Sequence, residues 1–157
     1  MVAILSRQTI EKYCRLDKMV ERRDGEPLKI EPVSIDIHLA DCEYTSLRPG
    51  DFCLGNTIET FNMPGQVVGF VVGKSTYARE GLMIEVAGLI DPGFRGDITL
   101  ELKNLHDENT IHLEKGQSIG QVYFMYTDRP VDILYGPDNG NHYQDQQGIT
   151  YSYRGLG

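Results

Sequence analysis

The sequence has little positive charge and no long apolar run. Its 157 residues carry a formal net charge of −8, which argues against the broad basic face that duplex nucleic acid requires. No apolar run reaches the roughly 18 residues that span a membrane, and the N-terminus has no charged-then-apolar export signal. We therefore expect a cytoplasmic protein without a nucleic-acid or membrane partner, in which positive contacts to an anionic ligand are local.

Cysteines are also few, and they form no recognisable cluster. Cys14, Cys42 and Cys53 are odd in number and include no Cys-x-x-Cys pair, so the sequence suggests neither a disulfide framework nor a zinc site. An apolar fraction of 40% supplies enough material for a core. We expect a single domain over residues 1–157.

Short apolar runs bounded by turn-forming residues recur at intervals of about eight to twelve residues. In one run, Ile35 and Ile37 alternate with Asp36 and His38, which predicts a half-buried strand with one polar face. His38 has no second His or Cys at ligand spacing, so a surface or hydrogen-bonded histidine is favoured over a metal ligand. Ser6 precedes the one convincing helical pattern and would cap it. The whole pattern predicts an all-β barrel or sandwich with a short N-terminal helix.

Two segments are typical of loops. Between Val20 and Leu28 the sequence is charged and rich in turn formers, which predicts a solvated loop without chemistry. Beyond Tyr135 the composition changes to Gly, Pro, Asn, Gln and Tyr, with little apolar surface to bury. We expect residues 135–157 to form a flexible lid that is mobile unless a ligand or a neighbouring chain orders it.

The stretch over residues 67–104 concentrates charged and hydroxyl residues within strand-like sequence. Apolar runs at 67–72 and 98–102 flank a middle punctuated by Gly and Pro. Polar side chains in such sequence are costly to bury unless they are paired or used on a ligand, which makes this stretch the candidate site. The side chains are those of Lys74, Ser75, Thr76, Arg79, Asp91, Arg95 and Glu101.

The first part of this stretch suggests phosphate binding. Lys74 and Ser75 follow a glycine as in a phosphate-binding loop, but that motif needs a second glycine at position 68, where Val68 stands. The lysine, the two hydroxyls and Arg79 still suit phosphate oxygens. A solvated turn is the alternative.

The second part holds two carboxylates. Asp91 opens a turn over residues 91–96. Strict alternation puts Glu101 on the strand face opposite Leu100. Glu101 is therefore either an ordinary exposed carboxylate or a functional one.

Five sequence blocks stand in a fixed order along the chain. They are Gly73-Lys-Ser-Thr-Tyr-Ala-Arg79, Ala87-Gly-Leu-Ile-Asp-Pro-Gly-Phe-Arg-Gly96, Ile98-Thr-Leu-Glu-Leu-Lys-Asn104, Gly116-x-x-Ile-Gly-Gln121 and Tyr143-Gln-x-Gln-x-Gly148. Together they resemble the dCTP deaminase family, the deaminating branch of the trimeric dUTPase superfamily. The resemblance implies an all-β fold with a distorted jelly-roll core of the dUTPase-like type. It also implies a homotrimer with sites between subunits.

The resemblance implies a mechanism as well. Glu101 would act as general base and acid while water attacks C4 of cytosine, and Ser75, Arg79 and the carbonyl of Ala87 would hold Glu101 and the water. No zinc would be needed, which agrees with the missing His-x-Glu and Pro-Cys-x-x-Cys ligands of zinc deaminases. Mg²⁺ would arrive with the triphosphate.

The substrate contacts implied by the resemblance are those of a dCTP- or dUTP-type nucleotide. Asp91 would bind the deoxyribose 3′-hydroxyl, and Thr99 and Leu100 would border the base. The other matching positions would hold phosphates, with Gln121 on the base or the phosphate side. They are Lys74, Ser75, Thr76, Arg79, Tyr135, His142 and Gln146.

Two residues depart from the usual pattern of the family. Lys74 stands where the family usually has Arg, and His142 where it usually has Lys, so phosphate binding is expected to be softer. The sequence around Ile90 resembles that of bifunctional members, which carry an apolar residue before Ile-Asp and convert dCTP to dUMP.

A dUTPase or dCTP pyrophosphatase without deamination is the alternative function. Glu101 argues against it, because plain dUTPases usually have an apolar residue at that position. A non-catalytic nucleotide-binding domain is a third hypothesis, disfavoured by the presence of both Asp91 and Glu101.

Overall fold

The computed structural model describes residues 3–84 and 87–154. The strands in this part of the chain are β1 Val20–Arg22, β2 Ser34–Cys42, β3 Ser46–Leu47, β4 Phe52–Asn62, β5 Val67–Gly73, β6 Leu82–Met83, β7 Leu89–Ile90, β8 Arg95–Asn104, β9 Ile111–His112 and β10 Ser118–Tyr126. The helices are α1 Arg7–Asp17 and α2 Ser75–Arg79, and a 3-10 turn spans Pro137–Asn139. Within the described ranges, no helix is both long and apolar enough to cross a bilayer.

One antiparallel sheet contains most of the strands. Its order is β6-β8-β4-β2-β10-β5-β7, with β1 paired to β4, while β3 and β9 form a separate two-stranded sheet. Register shifts interrupt the β2–β4, β4–β8 and β2–β10 pairs, and such irregularities increase the local twist and bend of a sheet. The expectation of an all-β fold with a short N-terminal helix is confirmed.

The core contains side chains from the inner face of the sheet and from α1. On β8, Leu100 and Leu102 are fully buried, whereas Thr99 and Glu101 are only partly buried. Ile10 of α1 is fully buried as well. The predicted alternation on β8 is therefore confirmed, and it turns the Glu101 side chain away from the core.

The polar side of β2 is more buried than expected. Asp36 is 0% exposed and His38 is 8% exposed, so the prediction of a half-buried strand is wrong. The reason is that side chains from other elements cover this face: Lys29 and Lys74 contact the Asp36 carboxylate, and neighbouring β4 brings Glu59 to His38. His38 Nδ1 lies 2.7 Å from Glu59 Oε1, which confirms a hydrogen-bonded histidine.

The helices differ from the expectation in detail. Ser6 stands at the N-cap of α1 with an extended backbone, but its side chain makes no capping hydrogen bond. The serine Oγ lies 3.3 Å from Thr9 Oγ1 instead. The predicted turn after Gly73 contains the short helix α2. The sequence did not predict this helix, because one helical turn is too short to show a helical period.

The charged segment between Val20 and Leu28 is more than the predicted solvated loop. Its first residues form β1, which pairs with β4. Arg23 Nη2 lies 3.0 Å from Asp97 Oδ2 on β8, although the two residues are far apart in the sequence. A pairing of this kind leaves no trace in local sequence pattern.

Candidate active site

A cavity of about 580 Å³ opens beside β8. Six of the predicted site residues line it, namely Ala87, Asp91, Thr99, Glu101, Tyr135 and Gln146. Apolar side chains make up much of the remaining wall, among them Phe52, Leu54, Ile90, Phe94 and Ile98. A mostly apolar cleft with a few converging polar groups is the usual form of a small-molecule site.

The two carboxylates reach the cavity from distant parts of the sheet. Asp91 follows β7 and Glu101 lies on β8, and these strands are near opposite ends of the strand order. Both line one cavity. The sheet is therefore curled, and the turn that joins β7 to β8 connects its two ends. The turn after Asp91 is fixed by the N–H of Phe94, which donates to the Asp91 carbonyl at 3.1 Å. Gly93 in this turn has φ of +88°, a conformation that favours glycine.

Glu101 is half-buried beside apolar groups. It lies opposite Leu54 of β4, and Phe52 and Leu54 line the same cavity. A low local dielectric strengthens the electrostatic effect of a charged group. The position suits a carboxylate that exchanges protons with a bound molecule.

Residues from the C-terminal part cover the cavity. The rings of Tyr135 and Phe94 pack edge to face with centroids 5.5 Å apart, and the N–H of Tyr143 donates to the Tyr135 hydroxyl at 3.2 Å. Burial raises the pKa of the Tyr135 hydroxyl, although the N–H of Tyr143 opposes the rise. This part of the chain thus packs on its own domain in the structure, and its flexibility stays a prediction.

Lys74 and Gln121 lie together at a second place, around the buried carboxylate of Asp36. Lys74 Nζ lies 2.5 Å from Asp36 Oδ2, and Gln121 Nε2 donates to Oδ1 at 3.1 Å. Ser118 Oγ and Lys29 Nζ also donate to Oδ2, at 3.0 and 2.8 Å. Burial alone would raise the pKa of Asp36, but the donors hold it well below its usual range.

The remaining phosphate-type residues lie on α2. Ser75, Thr76 and Arg79 are exposed. Arg79 borders a separate cavity, also of about 580 Å³, together with His106 and His112. Within one protomer, the predicted catalytic residues therefore fall into two groups that do not share a cavity.

Two predicted substrate contacts, Leu100 and His142, do not line the cavity. Leu100 is 0% exposed, so its side chain lies in the core and only its backbone is available to border a base. His142 is exposed and does not line the cavity. Its ring stacks on that of Tyr153 with centroids 3.9 Å apart.

Sequence reasoning missed several residues that hold the predicted ones in place. Asp36 gave a partial signal, because an acidic residue inside an apolar strand calls for a partner, but the sequence does not say that the partner is Lys74, 38 residues away. Arg23 and Asp97 gave none. In residues 3–84 and 87–154, no three His, Cys, Asp or Glu side chains cluster in a way that could hold a metal ion.

The sequence is similar to a known protein family and to several of its named members. Residues 37–127 match the family model described as "dCTP deaminase-like". The protein of Mycobacterium ulcerans named "dCTP deaminase, dUMP-forming" is 38% identical over 143 residues, which cover 90% of this chain and 70% of that protein. A protein of the same name from Dictyoglomus thermophilum is 33% identical over 182 aligned positions, covering 95% and 93%.

Solved structures support the fold. The 2′-deoxycytidine 5′-triphosphate deaminase of Agrobacterium tumefaciens superposes with a TM-score of 0.71 at 15% identity, over 80% of this chain and 49% of that one. The native EIAV dUTPase gives a TM-score of 0.54 at 22% identity, over 87% and 97%. The expected dUTPase-like type of jelly roll is thereby confirmed.

Proposed function

Because the chain belongs to the dCTP deaminase-like family, we propose that it deaminates dCTP at C4 of cytosine and releases dUMP and pyrophosphate. The observation that carries the proposal is the shared cavity of Asp91 and Glu101. The names of the two relatives, both dUMP-forming deaminases, support the product.

Glu101 is the proposed general base and acid. It takes a proton from water, and the resulting hydroxide adds to C4 while N3 of the ring is protonated. Glu101 then moves the proton of the new C4 hydroxyl to the exocyclic nitrogen, the C4–N bond breaks to release ammonia, and a carbonyl remains at C4. Ser75, Arg79 and the carbonyl of Ala87 would hold the water and Glu101. The step uses no zinc.

Asp91 is the proposed acceptor for the deoxyribose 3′-hydroxyl. Thr99 and the backbone of Leu100 would border the base, and Tyr135 and Gln146 would lie against the sugar and triphosphate as the C-terminal part closes. Formation of dUMP then requires a second water to attack the α-phosphorus, with pyrophosphate as the leaving group. Mg²⁺ would arrive with the triphosphate, whose oxygens are its usual ligands.

A homotrimer with sites between subunits is the proposed assembly. Arg79 and Glu101 do not border the same cavity in one protomer, so a neighbouring subunit would have to bring them together. Apolar groups on the outer side of the sheet support contact between copies. Phe70 lies between Leu89 and Tyr123 in the strand register, and Leu89 is 55% exposed.

A dUTPase or dCTP pyrophosphatase without deamination is the alternative function. Incubation with dCTP and Mg²⁺, followed by separate measurement of ammonia, dUTP, dUMP, dCMP and pyrophosphate, distinguishes the two. Ammonia together with dUMP supports the proposal. Pyrophosphate with dCMP and no ammonia would support the alternative, and ammonia with dUTP alone would restrict the activity to deamination.

A further inference from the structure

The C-terminal part of the chain is fastened to β8 by a row of hydrogen bonds. The N–H of Asp145 donates to the Arg95 carbonyl at 2.8 Å, and the N–H of Asp97 donates to the Gln146 carbonyl at 3.0 Å. Gln146 Nε2 donates to the Asp97 carbonyl at 2.6 Å. Residues 145 and 146 thus extend the sheet beside the start of β8, as a short parallel bridge.

Close approach of the two backbones depends on Gly96. A Cβ at this position would lie 2.7 Å from the carbonyl oxygen of Gln146 and 2.9 Å from its nitrogen. In proteins, a Cβ atom essentially never lies closer than 3.0 Å to such a heavy atom, so any other residue at position 96 would push the two backbones apart. The position of Gln146 beside β8 therefore depends on the missing side chain at Gly96.

Asp97 is the centre of this contact. Its carboxylate is 1% exposed, and Oδ2 accepts a hydrogen bond from the N–H of Gly148 at 2.8 Å. Two residues later on both segments, the N–H of Thr150 donates to Thr99 Oγ1 at 3.1 Å. Asp97 thus holds the segment over residues 145–150, which we call the closing segment, on both its backbone and its side chain.

Arg23 supplies the charge that holds Asp97. Its Nη2 lies 3.0 Å from Asp97 Oδ2 and donates to the Thr57 carbonyl of β4 at 2.7 Å. Among the described residues, Asp97 Oδ1 has no hydrogen-bond partner, so the stabilisation of the carboxylate is concentrated on Oδ2. Burial raises the pKa of Asp97, while Gly148 and Arg23 oppose the rise. Without Arg23, the buried carboxylate would lose its counter-charge.

We propose that Arg23 is a positioning residue for the reaction: through Asp97 it fixes the closing segment and so places Gln146 over the cavity. Arg23 does not line the cavity, and its effect is transmitted by the ion pair and by the N–H of Gly148. The consequence for turnover rests on the proposed function, whereas the consequence for the closing segment does not.

The first test measures amide hydrogen exchange in the nucleotide-free full-length protein. Arg23→Met keeps an unbranched apolar stem but removes the guanidinium group and its charge. Arg48→Met is the matched control because, in the part of the chain that the structure describes, the ion pair of Arg48 is with half-buried Asp51 at 3.4 Å. We expect exchange at Gly148 and Thr150 to become about tenfold faster or more in Arg23→Met, the scale of losing a hydrogen bond to a charged group. Arg48→Met should match the wild type, and Arg23→Lys should recover part of the protection.

The second test separates binding from chemistry. Fixing a segment over the substrate is a binding effect, so KM for dCTP should rise about tenfold in Arg23→Met while kcat changes less. If Arg23→Met does not fold, the double variant Arg23→Met/Asp97→Asn removes the unpaired buried charge and takes its place in both measurements.

The outcomes are distinguishable. If the amides of Gly148 and Thr150 exchange at the wild-type rate in Arg23→Met, or in the double variant that replaces it, the inference is overturned, whatever the substrate is. Faster exchange in a protein that does not turn over dCTP supports the role of Arg23 in the closing segment and overturns the proposed function. Faster exchange with an unchanged KM overturns the role of the ion pair in the reaction.

Discussion

Lys74 Nζ lies 2.5 Å from Asp36 Oδ2, so the lysine that the sequence suggests for phosphate is tied to a buried carboxylate. Gln121 donates to the other oxygen of the same carboxylate at 3.1 Å. Asp36 therefore sets the position of two of the proposed substrate residues. A triphosphate that met Lys74 would compete with this carboxylate for the ammonium group.

Asp36→Asn should lower stability and change its pH dependence. The donors hold the pKa of Asp36 below the ordinary value of 3.8, so its contribution is complete above that value and is lost as pH falls through the lower folded-state pKa. We expect a loss of about 1 to 3 kcal/mol near pH 7 for the variant. Its stability should also fall less steeply than that of the wild type below about pH 4.

Urea unfolding of the two proteins at several pH values between 7 and 2.5 measures this difference. Asp51→Asn serves as a control, because the Asp51 carboxylate contacts Arg48, whose side chain is exposed. Equal stabilities at pH 7, or parallel pH profiles, would mean that the cluster around Asp36 adds no net stability.

A mixed assembly should restore activity to two inactive variants. If Glu101 of one subunit meets Arg79 of a neighbour, co-expression of Glu101→Gln with Arg79→Met gives about a quarter of the sites both wild-type residues in a random closed trimer. We expect activity near that fraction of the wild type. Each variant expressed alone is the control and should be almost inactive.

Light scattering of the same samples gives the number of subunits. A fully active monomer at the assay concentration would contradict the trimer. A trimer in which the mixed assembly remains inactive would show that Arg79 and Glu101 act within one subunit or that one of them does not act in the reaction.

His142 should limit nucleotide affinity if it contacts a phosphate. A lysine ammonium is a compact charge with three donors, and Lys is what the family usually has at this position. If His142 leaves its stacking partner Tyr153 to meet a phosphate, His142→Lys should raise the affinity for a non-hydrolysable dCTP analogue, measured by titration calorimetry. An unchanged affinity would remove His142 from the phosphate site.

The sequence predicted those features that follow from local pattern. Period-two alternation on β8 correctly separated buried Leu100 from Glu101 on the outer side, because strand geometry fixes which face each residue occupies. The Pro-Gly turn after Asp91 is likewise present, with Gly93 at positive φ. The cavity itself was not predicted from pattern, because its walls also come from β4 and from residues 135–152, which meet β8 only in the folded chain.

Features that depend on distant pairing were out of reach. Asp36 was expected on the polar face of a half-buried strand, but Lys29 and Lys74 cover its carboxylate and leave it 0% exposed. Arg23 belongs to a segment that any composition rule assigns to a solvated loop, and its partner Asp97 is on another strand. Long-range ion pairs are set by tertiary structure, which propensity and periodicity do not encode.

If Glu101 carries the proton transfers of dCTP deamination, as proposed, then Glu101→Gln should remove deamination and leave the fold intact. The amide has nearly the same shape as the carboxylate but cannot accept the proton from water, so ammonia release should fall by roughly 10² to 10⁴. The thermal unfolding midpoint and the affinity for a non-hydrolysable dCTP analogue should stay close to those of the wild type. The measurement is the initial rate of ammonia release from dCTP and Mg²⁺ by the two proteins. If Glu101→Gln releases ammonia at near the wild-type rate, Glu101 is not the general base. If the wild-type protein converts dCTP to dCMP and pyrophosphate without ammonia, the protein is not a deaminase.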